Sequence, residues 1–397
     1  MSPKSRWILL GLSTPLVIVA AVGGLLGSPA ARAQKGFEHL RVFEDVVSLV
    51  TGAYVEEVDP DKIMDGAMRG LAESLDASSA YLPPDEVALV ENKTPLGDGD
   101  PGLVITRQFW IRVLGVKDGS PAARAGIRSG DFVRAIDGKP TRDMSAFTGT
   151  RMLHGAVGST VKLVIIRSNA AEPHEVTLTR EKPDLSVATE FSAADMMGYL
   201  RIRTFTPSGL GGVAAAVRQA VEKLQQEGAK GLVIDIRGVT DGSYDEAIKA
   251  AEVFVASGTI ATRAGRDNAD KEVITAPAGN TALTIPVVVL QSFGTSGPAE
   301  VFAAALSGNK RAELVGEHTA GLAAEQHLVK LPENFGLWMT YRRYFTNAGV
   351  AILEKGIAPD VTVEEPSVEF GEAAPASDDM RAKAIERLKA AKVAKAA

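Results

Sequence analysis

Apolar positions recur with different periods along this chain, and the pattern changes near residues 102 and 183. From 183 to 365, short apolar runs alternate with longer amphipathic stretches. Residues 198–202, 231–236 and 285–290 read as strands, and residues 210–226, 244–256 and 298–307 read as helices. Alternation of this kind predicts an α/β layer whose buried strands are largely parallel. A further strand is expected across residues 341–345. From 102 to 181 the runs are shorter. Residues 103–105, 111–114, 132–136, 161–166 and 174–178 are strand candidates, with one short helix between turn glycines near 119–131 and another at about 144–154. Ahead of these, Leu40, Phe43, Val47 and Val50 recur at helical spacing, as do Ile63, Ala67, Leu71 and Leu75. A Gly-, Asp- and Pro-rich stretch at 94–102 reads as a linker.

The N-terminus adds an address to this picture. Lys4 and Arg6 precede an apolar run over residues 7–27, and Ala31-Arg32-Ala33 follows it. A positive flank, an apolar stretch and an Ala-x-Ala end form the pattern of a cleaved export signal. The run is also long enough to be an uncleaved membrane anchor. Either way, the rest of the chain is expected to be exported. The tail after about residue 366 is acidic and then rich in Ala and Lys, a peripheral helix or a disordered end.

Composition narrows the chemistry. The net charge is −6 with no basic stripe, so nucleic acid is not an expected partner. There is no cysteine, which excludes disulfides, thiolate catalysis and cysteine metal sites. The five histidines are scattered without the carboxylate–histidine spacing of a metal centre, and Gly209-Leu210-Gly211-Gly212 lacks the spacing of a nucleotide fingerprint. No cofactor is expected.

One segment does look built for catalysis. Val287-Val288-Val289-Leu290-Gln291-Ser292-Phe293-Gly294-Thr295-Ser296-Gly297-Pro298-Ala299-Glu300 reads as a buried strand, a tight turn and a helix start. Serine nucleophiles are often mounted on such elbows. Here the turn holds Gly297, which has no nucleophile, and Pro298, which has no N–H to offer an oxyanion.

Two resemblances organise these pieces. Gly119-Ser120-Pro121-Ala122-Ala123-Arg124-Ala125-Gly126-Ile127-Arg128-Ser129-Gly130-Asp131, continuing to Gly138-Lys139, closely resembles the bacterial type of PDZ module. The resemblance implies that an extended C-terminal peptide adds a strand beside Gly102, Leu103, Val104 and Ile105, facing the helix at about 144–154. The loop before that strand reads Asp100-Pro101-Gly102-Leu103, with one glycine where the family often has two.

The order of motifs over about residues 37–365 resembles the C-terminal processing (tail-specific) serine peptidases. Among those motifs are Ser74-Leu75-Asp76-Ala77-Ser78-Ser79-Ala80-Tyr81-Leu82, Gly231-Leu232-Val233-Ile234-Asp235-Ile236-Arg237, Gly316-Glu317-His318-Thr319 and Lys355-Gly356-Ile357-Ala358-Pro359-Asp360. The fold it implies is a mixed α/β (α+β) peptidase core with an inserted β-rich PDZ domain and an N-terminal helical region. The expected boundaries are 1–34 for the signal or anchor, 35–97 for the helical region, 98–182 for the PDZ domain, 183–365 for the core and 366–397 for the tail.

The same resemblance implies a serine–lysine dyad, and this chain departs from it at four places. The family serine falls on Gly297, and the following oxyanion donor falls on Pro298. The family lysine falls on Leu322, while Gln326 keeps the family glutamine. The other oxyanion loop reads Arg237-Gly238-Val239-Thr240-Asp241-Gly242, so Asp241 puts a carboxylate where a glycine is usual. Dyad members act as a unit, so their joint loss removes most of a rate enhancement. The leading expectation is an exported, non-cutting homologue that binds C-terminal peptides, or a partner peptidase or adaptor. The compartment implied is the bacterial periplasm, free or tethered to the inner membrane.

Two alternatives stay open. Ser296 could act as a relocated nucleophile with His318 or Lys330 as base, or simply cap the helix that Pro298 begins. Otherwise the chain is an assembly scaffold whose N-terminal helices make homo-oligomer contacts.

Overall fold

The computed structural model describes residues 29–397, apart from 168–171, 208, 269, 367, 373–376 and 397. The export signal or anchor predicted at 1–34 therefore lies almost wholly outside the described residues. Among those described, no helix is long and apolar enough to cross a membrane. The chain divides into one unit up to Gly70 and a second from Leu71 onward.

The first unit carries helix α1 (Pro29–Ala53) and most of α2 (Pro60–Glu73). The helical spacing of Leu40, Phe43, Val47 and Val50 thus does form a helix. Several of its apolar side chains are solvent-exposed nonetheless, Leu40 at 62% and Leu49 at 66%, while Val47 and Val50 are half-buried.

The second unit opens with β1 (Ala80–Leu82) and α3 (Pro84–Glu91). The PDZ-like module follows with β2 (Leu103–Gln108), β3 (Trp110–Val116), α4 (Pro121–Arg124), β4 (Phe132–Ile136), β5 (Lys139–Pro140), α5 (Ala146–Leu153), β6 (Thr160–Ile166) and β7 (His174–Thr179). All five expected strands form. They order as β2-β3-β4-β6-β7, with β5 on β4, so β2 lies at an edge. Inward residues such as Ile111, Val113, Val133, Leu163 and Ile165 close one apolar core with Leu153 of α5. The segment expected to be a linker is pinned at its end. Gly99 pairs with Gly155, and Asp100 pairs with Glu181. These backbone bonds anchor the entry to the module beside its exit.

The core continues with β8 (Ala188–Ser192), β9 (Met197–Arg201), α6 (Gly212–Gln226), β10 (Leu232–Asp235), α7 (Tyr244–Glu252), β11 (Thr259–Ala264), β12 (Glu272–Thr275), β13 (Val287–Gln291), α8 (Pro298–Gly308), β14 (Ala312–Gly316), β15 (Ala324–Lys330), β16 (Gly336–Phe345), β17 (Val361–Thr362) and α9 (Asp379–Ala396). The central sheet runs β17-β14-β13-β10-β9-β8. Its strands are parallel except for β8. Successive side chains of a strand point to opposite faces. Accordingly Leu232, Ile234, Val287 and Val289 face the core shared with α6, α7 and α8. Val233, Val288 and Leu290 face the other side.

That second face changes the reading of the tail. Met380, Ala384 and Leu388 recur every fourth residue along α9 and are buried against it. The segment is a covering helix of the sheet, not a peripheral or disordered end. A parallel sheet needs both faces covered, and the Ala/Lys-rich composition hid the apolar stripe that does this. A second, antiparallel sheet joins β1, β16, β11 and β12, with β15 also on β16. Its β1–β16 pairing brings the chain ahead of the PDZ-like module back to the core. Apart from β16, these strands were not anticipated, because they carry no long apolar run.

Removing side chain from the buried stripe of α9 tests its role. Leu388→Ala should cost about 3 kcal/mol of stability in urea unfolding, in the range of large-to-small core substitutions. A change near zero would mean the helix is not part of the cooperative core.

Candidate functional site

The loops after β10, β13 and β14 leave the same edge of the parallel sheet, where ligand sites of open α/β folds usually lie. The loop after β13 is the elbow. Thr295 Oγ1 donates to Ile236 O (3.0 Å) and accepts from Ser292 N (3.0 Å), tying it to the loop after β10. Ser296 N donates to Val239 O at 3.0 Å. Gly297 then turns with φ 57° and ψ −120° and caps α8, whose first residue is Pro298. A positive φ of this kind is strained for side-chain-bearing residues and is the backbone of a sharp elbow. There is nevertheless space for a side chain. A Cβ built on Gly297 would lie 3.4 Å from Thr240 O and 3.6 Å from Tyr244 Oη.

One buried carboxylate joins the elbow to the loop after β14. Glu300 is fully buried. Its Oε2 accepts from Gly297 N (2.9 Å) and Leu322 N (2.8 Å). Its Oε1 accepts from Thr319 Oγ1 (2.5 Å) and Gly321 N (2.6 Å). Gly297 and Leu322, the positions the resemblance led one to expect for a serine and a lysine, are thus bound by the same oxygen. Burial raises the Glu300 pKa, and the four donors pull against that rise. The sequence offered one local hint, a glutamate three residues into the helix, as in a capping box.

The other predicted positions have defined partners. Leu322 is half-buried and presents no amine. Gln326 Nε2 donates to Thr340 Oγ1 (3.2 Å) and Ala324 O (3.3 Å). Asp241 Oδ2 lies 2.7 Å from Lys117 Nζ at the end of β3. Gly242 has φ 118° and crosses Phe205 so closely that a Cβ would overlap its backbone. Tyr244 Oη exchanges hydrogen bonds with Ala324 N and O, both at 2.9 Å, beside the empty Cβ position of Gly297.

Ser296 is 2% exposed and its side chain does not cap α8; the Glu300 carboxylate binds the Gly297 N–H instead. Lys330 is ion-paired with Glu91, and His318 Nδ1 lies 3.1 Å from Thr319 O.

The PDZ-like module sits directly on these loops. A Cβ on Gly294 would come within 2.5 Å of Leu114 O, and one on Gly115 within 2.7 Å of Gly238 O. The Arg112 guanidinium lies 4.7 Å from the centroid of the Phe293 ring. A run of ion pairs, buried in the middle at Arg201 and Asp235 and exposed at its ends, reinforces the contact. Asp118 binds Arg201 (2.7 Å), Arg201 binds Asp235 (3.1 Å), and Asp235 binds Arg237 (2.6 Å), which reaches Asp378 (2.7 Å) beside α9. Burial alone would raise Asp235, but Arg201 and Arg237 hold it down to about 2. Asp235 and Arg237 stand two residues apart, but Asp118, Arg201 and Asp378 are far from them in sequence, so nothing local announced the rest of the run. A cleft of about 840 Å³ opens beside this network, with Arg201, Arg237 and Ser292 in its lining.

Comparison with known proteins agrees with this architecture. Residues 196–363 match peptidase family S41, and residues 112–167 match a PDZ domain. The chain is 29% identical over 334 residues to the carboxy-terminal-processing protease of Bartonella bacilliformis, covering 84% of this chain and 77% of that one. It is 29% identical over 317 residues to the carboxy-terminal processing protease CtpA of Bacillus subtilis, covering 79% of this chain and 66% of the relative. Among solved structures, the photosystem II D1 C-terminal processing protease superposes with a TM-score of 0.65 at 28% identity, covering 81% of this chain and 92% of that one.

Two substitutions probe the buried charges. Glu300→Gln sets an amide against backbone N–H donors and should cost about 2–4 kcal/mol. Because folding raises the Glu300 pKa, its contribution is full at low pH and is lost as pH rises through the raised value; the Gln variant should lack that slope. Asp235 has the opposite sign. Its stabilisation is present above the ordinary aspartate value of about 3.9 and is lost as pH falls toward about 2. Asp235→Asn should cost about 3–5 kcal/mol at neutral pH and flatten that acid limb. Chemical denaturation across pH reads both.

Proposed function

The chain belongs to peptidase family S41 with a PDZ domain set into it, and from that premise we propose that it binds extended peptides without cutting them. The observation that carries this reading is the side-chain-free elbow: Gly297 occupies the position matched to the family serine, with the turn and the space for one intact. Three further departures point the same way. Pro298 has no N–H, Leu322 has no amine, and the Asp241 carboxylate stands in the loop that would face an oxyanion. A relocated nucleophile is disfavoured by the burial of Ser296 and by the Glu91 partner of Lys330. Lys4, Arg6 and the apolar run behind them support an exported protein, so its ligands would be exported too.

The test is cleavage of an unstructured substrate by the purified full chain, beside the Gly297→Ser/Pro298→Ala/Leu322→Lys variant. The natural chain should leave the substrate whole, and the variant should regain slow cleavage. Cleavage by the natural chain that disappears in Ser296→Ala would overturn the proposal.

A further inference from the structure

PDZ modules take an extended peptide along a sheet edge, and backbone N–H nests can capture its terminal carboxylate. In this chain the edge is β2, whose outer side pairs with no strand among the described residues. The preceding loop is Asp100-Pro101-Gly102-Leu103.

Three features spoil that loop for an incoming carboxylate. Pro101 has no N–H to donate. The Gly102 N–H is already taken, donating to Oδ1 of Asp100 at 2.6 Å. The nearby cation is also committed, since Lys117 Nζ lies 2.9 Å from Asp100 Oδ2 and 2.7 Å from Asp241 Oδ2. Two carboxylates share one ammonium, which leaves negative charge in excess. His154 Nε2, 3.8 Å from Asp100 Oδ2, offsets it only when protonated. The loop has no slack either: a Cβ on Gly102 would overlap Ser120, whose Oγ caps α4.

We propose that the β2 edge takes an extended segment from the interior of a partner chain, not a free C-terminus. Asp100 fills the part of a terminal carboxylate with a side chain of the module itself, and it repels a second one. A neutral peptide group continuing past the loop meets no such repulsion. This inference rests on the reading that the module binds peptides.

A randomised octapeptide library, made once as free acids and once as C-terminal amides, separates the possibilities. Binding to the purified full chain would be read by fluorescence polarisation. The amides should bind at least as tightly as the matched acids. In Asp100→Asn/Pro101→Gly, which frees the Gly102 N–H from a charged partner and restores one at 101, the acids should gain at least tenfold over the amides. Thermal melting would check that the variant folds, with Asp100→Asn alone as the milder form. A natural chain that prefers free acids by fivefold or more would overturn the inference. Should the natural chain bind neither form, the peptide-binding reading fails. This inference falls with it, whereas a preference for free acids overturns the inference and leaves that reading standing.

Discussion

The arrangement of the candidate site depends on one buried carboxylate. Glu300 accepts four hydrogen bonds from two segments: its own helix cap at Gly297, and the loop after β14 through the hydroxyl of Thr319 and the amides of Gly321 and Leu322. An unpaired carboxylate at this depth would be prohibitively costly, and so would its orphaned amide donors. Each group therefore requires the others, and the elbow cannot shift without the loop after β14. Thr319 extends the chain of constraint. Its Oγ1 also accepts from Ile357 N at 2.7 Å, so the turn at 354–357 is bound to the same centre. This explains how the elbow at Gly297 and the loop carrying Leu322 stay ordered around one another.

The PDZ domain is the second constraint, and it works through absence of side chain as much as through charge. Gly115, Gly238 and Gly294 allow three backbones to meet where any Cβ at Gly115 or Gly294 would collide. Lys117 and Asp118 at the end of β3 then carry the contact into the loop after β10 and into the sheet. From Asp118 the ion pairs run through Arg201, Asp235 and Arg237 to Asp378 at the start of α9. The buried pair at the centre of this run, Arg201 with Asp235, adds little net stability compared with apolar packing, yet breaking it is expensive. The effect of the run is to fix how the PDZ domain, the sheet edge and the last helix are oriented.

Much of the fold was legible because its signals are local. The apolar runs of β10 and β13, the alternation in β6, and the Gly-Pro start of α8 all act within a few residues. The elbow was legible for the same reason. The rest is long-range. Asp241 read only as a misplaced charge, because its partner Lys117 is 124 residues away. The strands of the second sheet are short or mixed in polarity, and β1 and β11 pair with β16 far along the chain, so their pairing leaves little trace in hydropathy. The covering role of α9 escaped because three residues, Met380, Ala384 and Leu388, carry it within an Ala/Lys-rich sequence. Glu300 lay between these cases: its place in the helix was visible, but its bonds to the next loop were not.

The departures from the family pattern share a physical direction. A serine held at φ 57° would store backbone strain of about 1–3 kcal/mol, which glycine does not. Proline at the first position of α8 has its φ preset for a helix and gives up an N–H that needs no intrahelical partner. Asp241 gains an ion pair with the largely buried Lys117, whose pKa rises because its two carboxylates outweigh the cost of burial. On the reading proposed above, each change is thus neutral or favourable for the fold and unfavourable for acyl transfer, the familiar opposition between stability and function at strained sites. On the reading proposed above, no oxyanion forms. The missing N–H of Pro298 and the added charge of Asp241 then have no catalytic consequence, while their structural contributions remain.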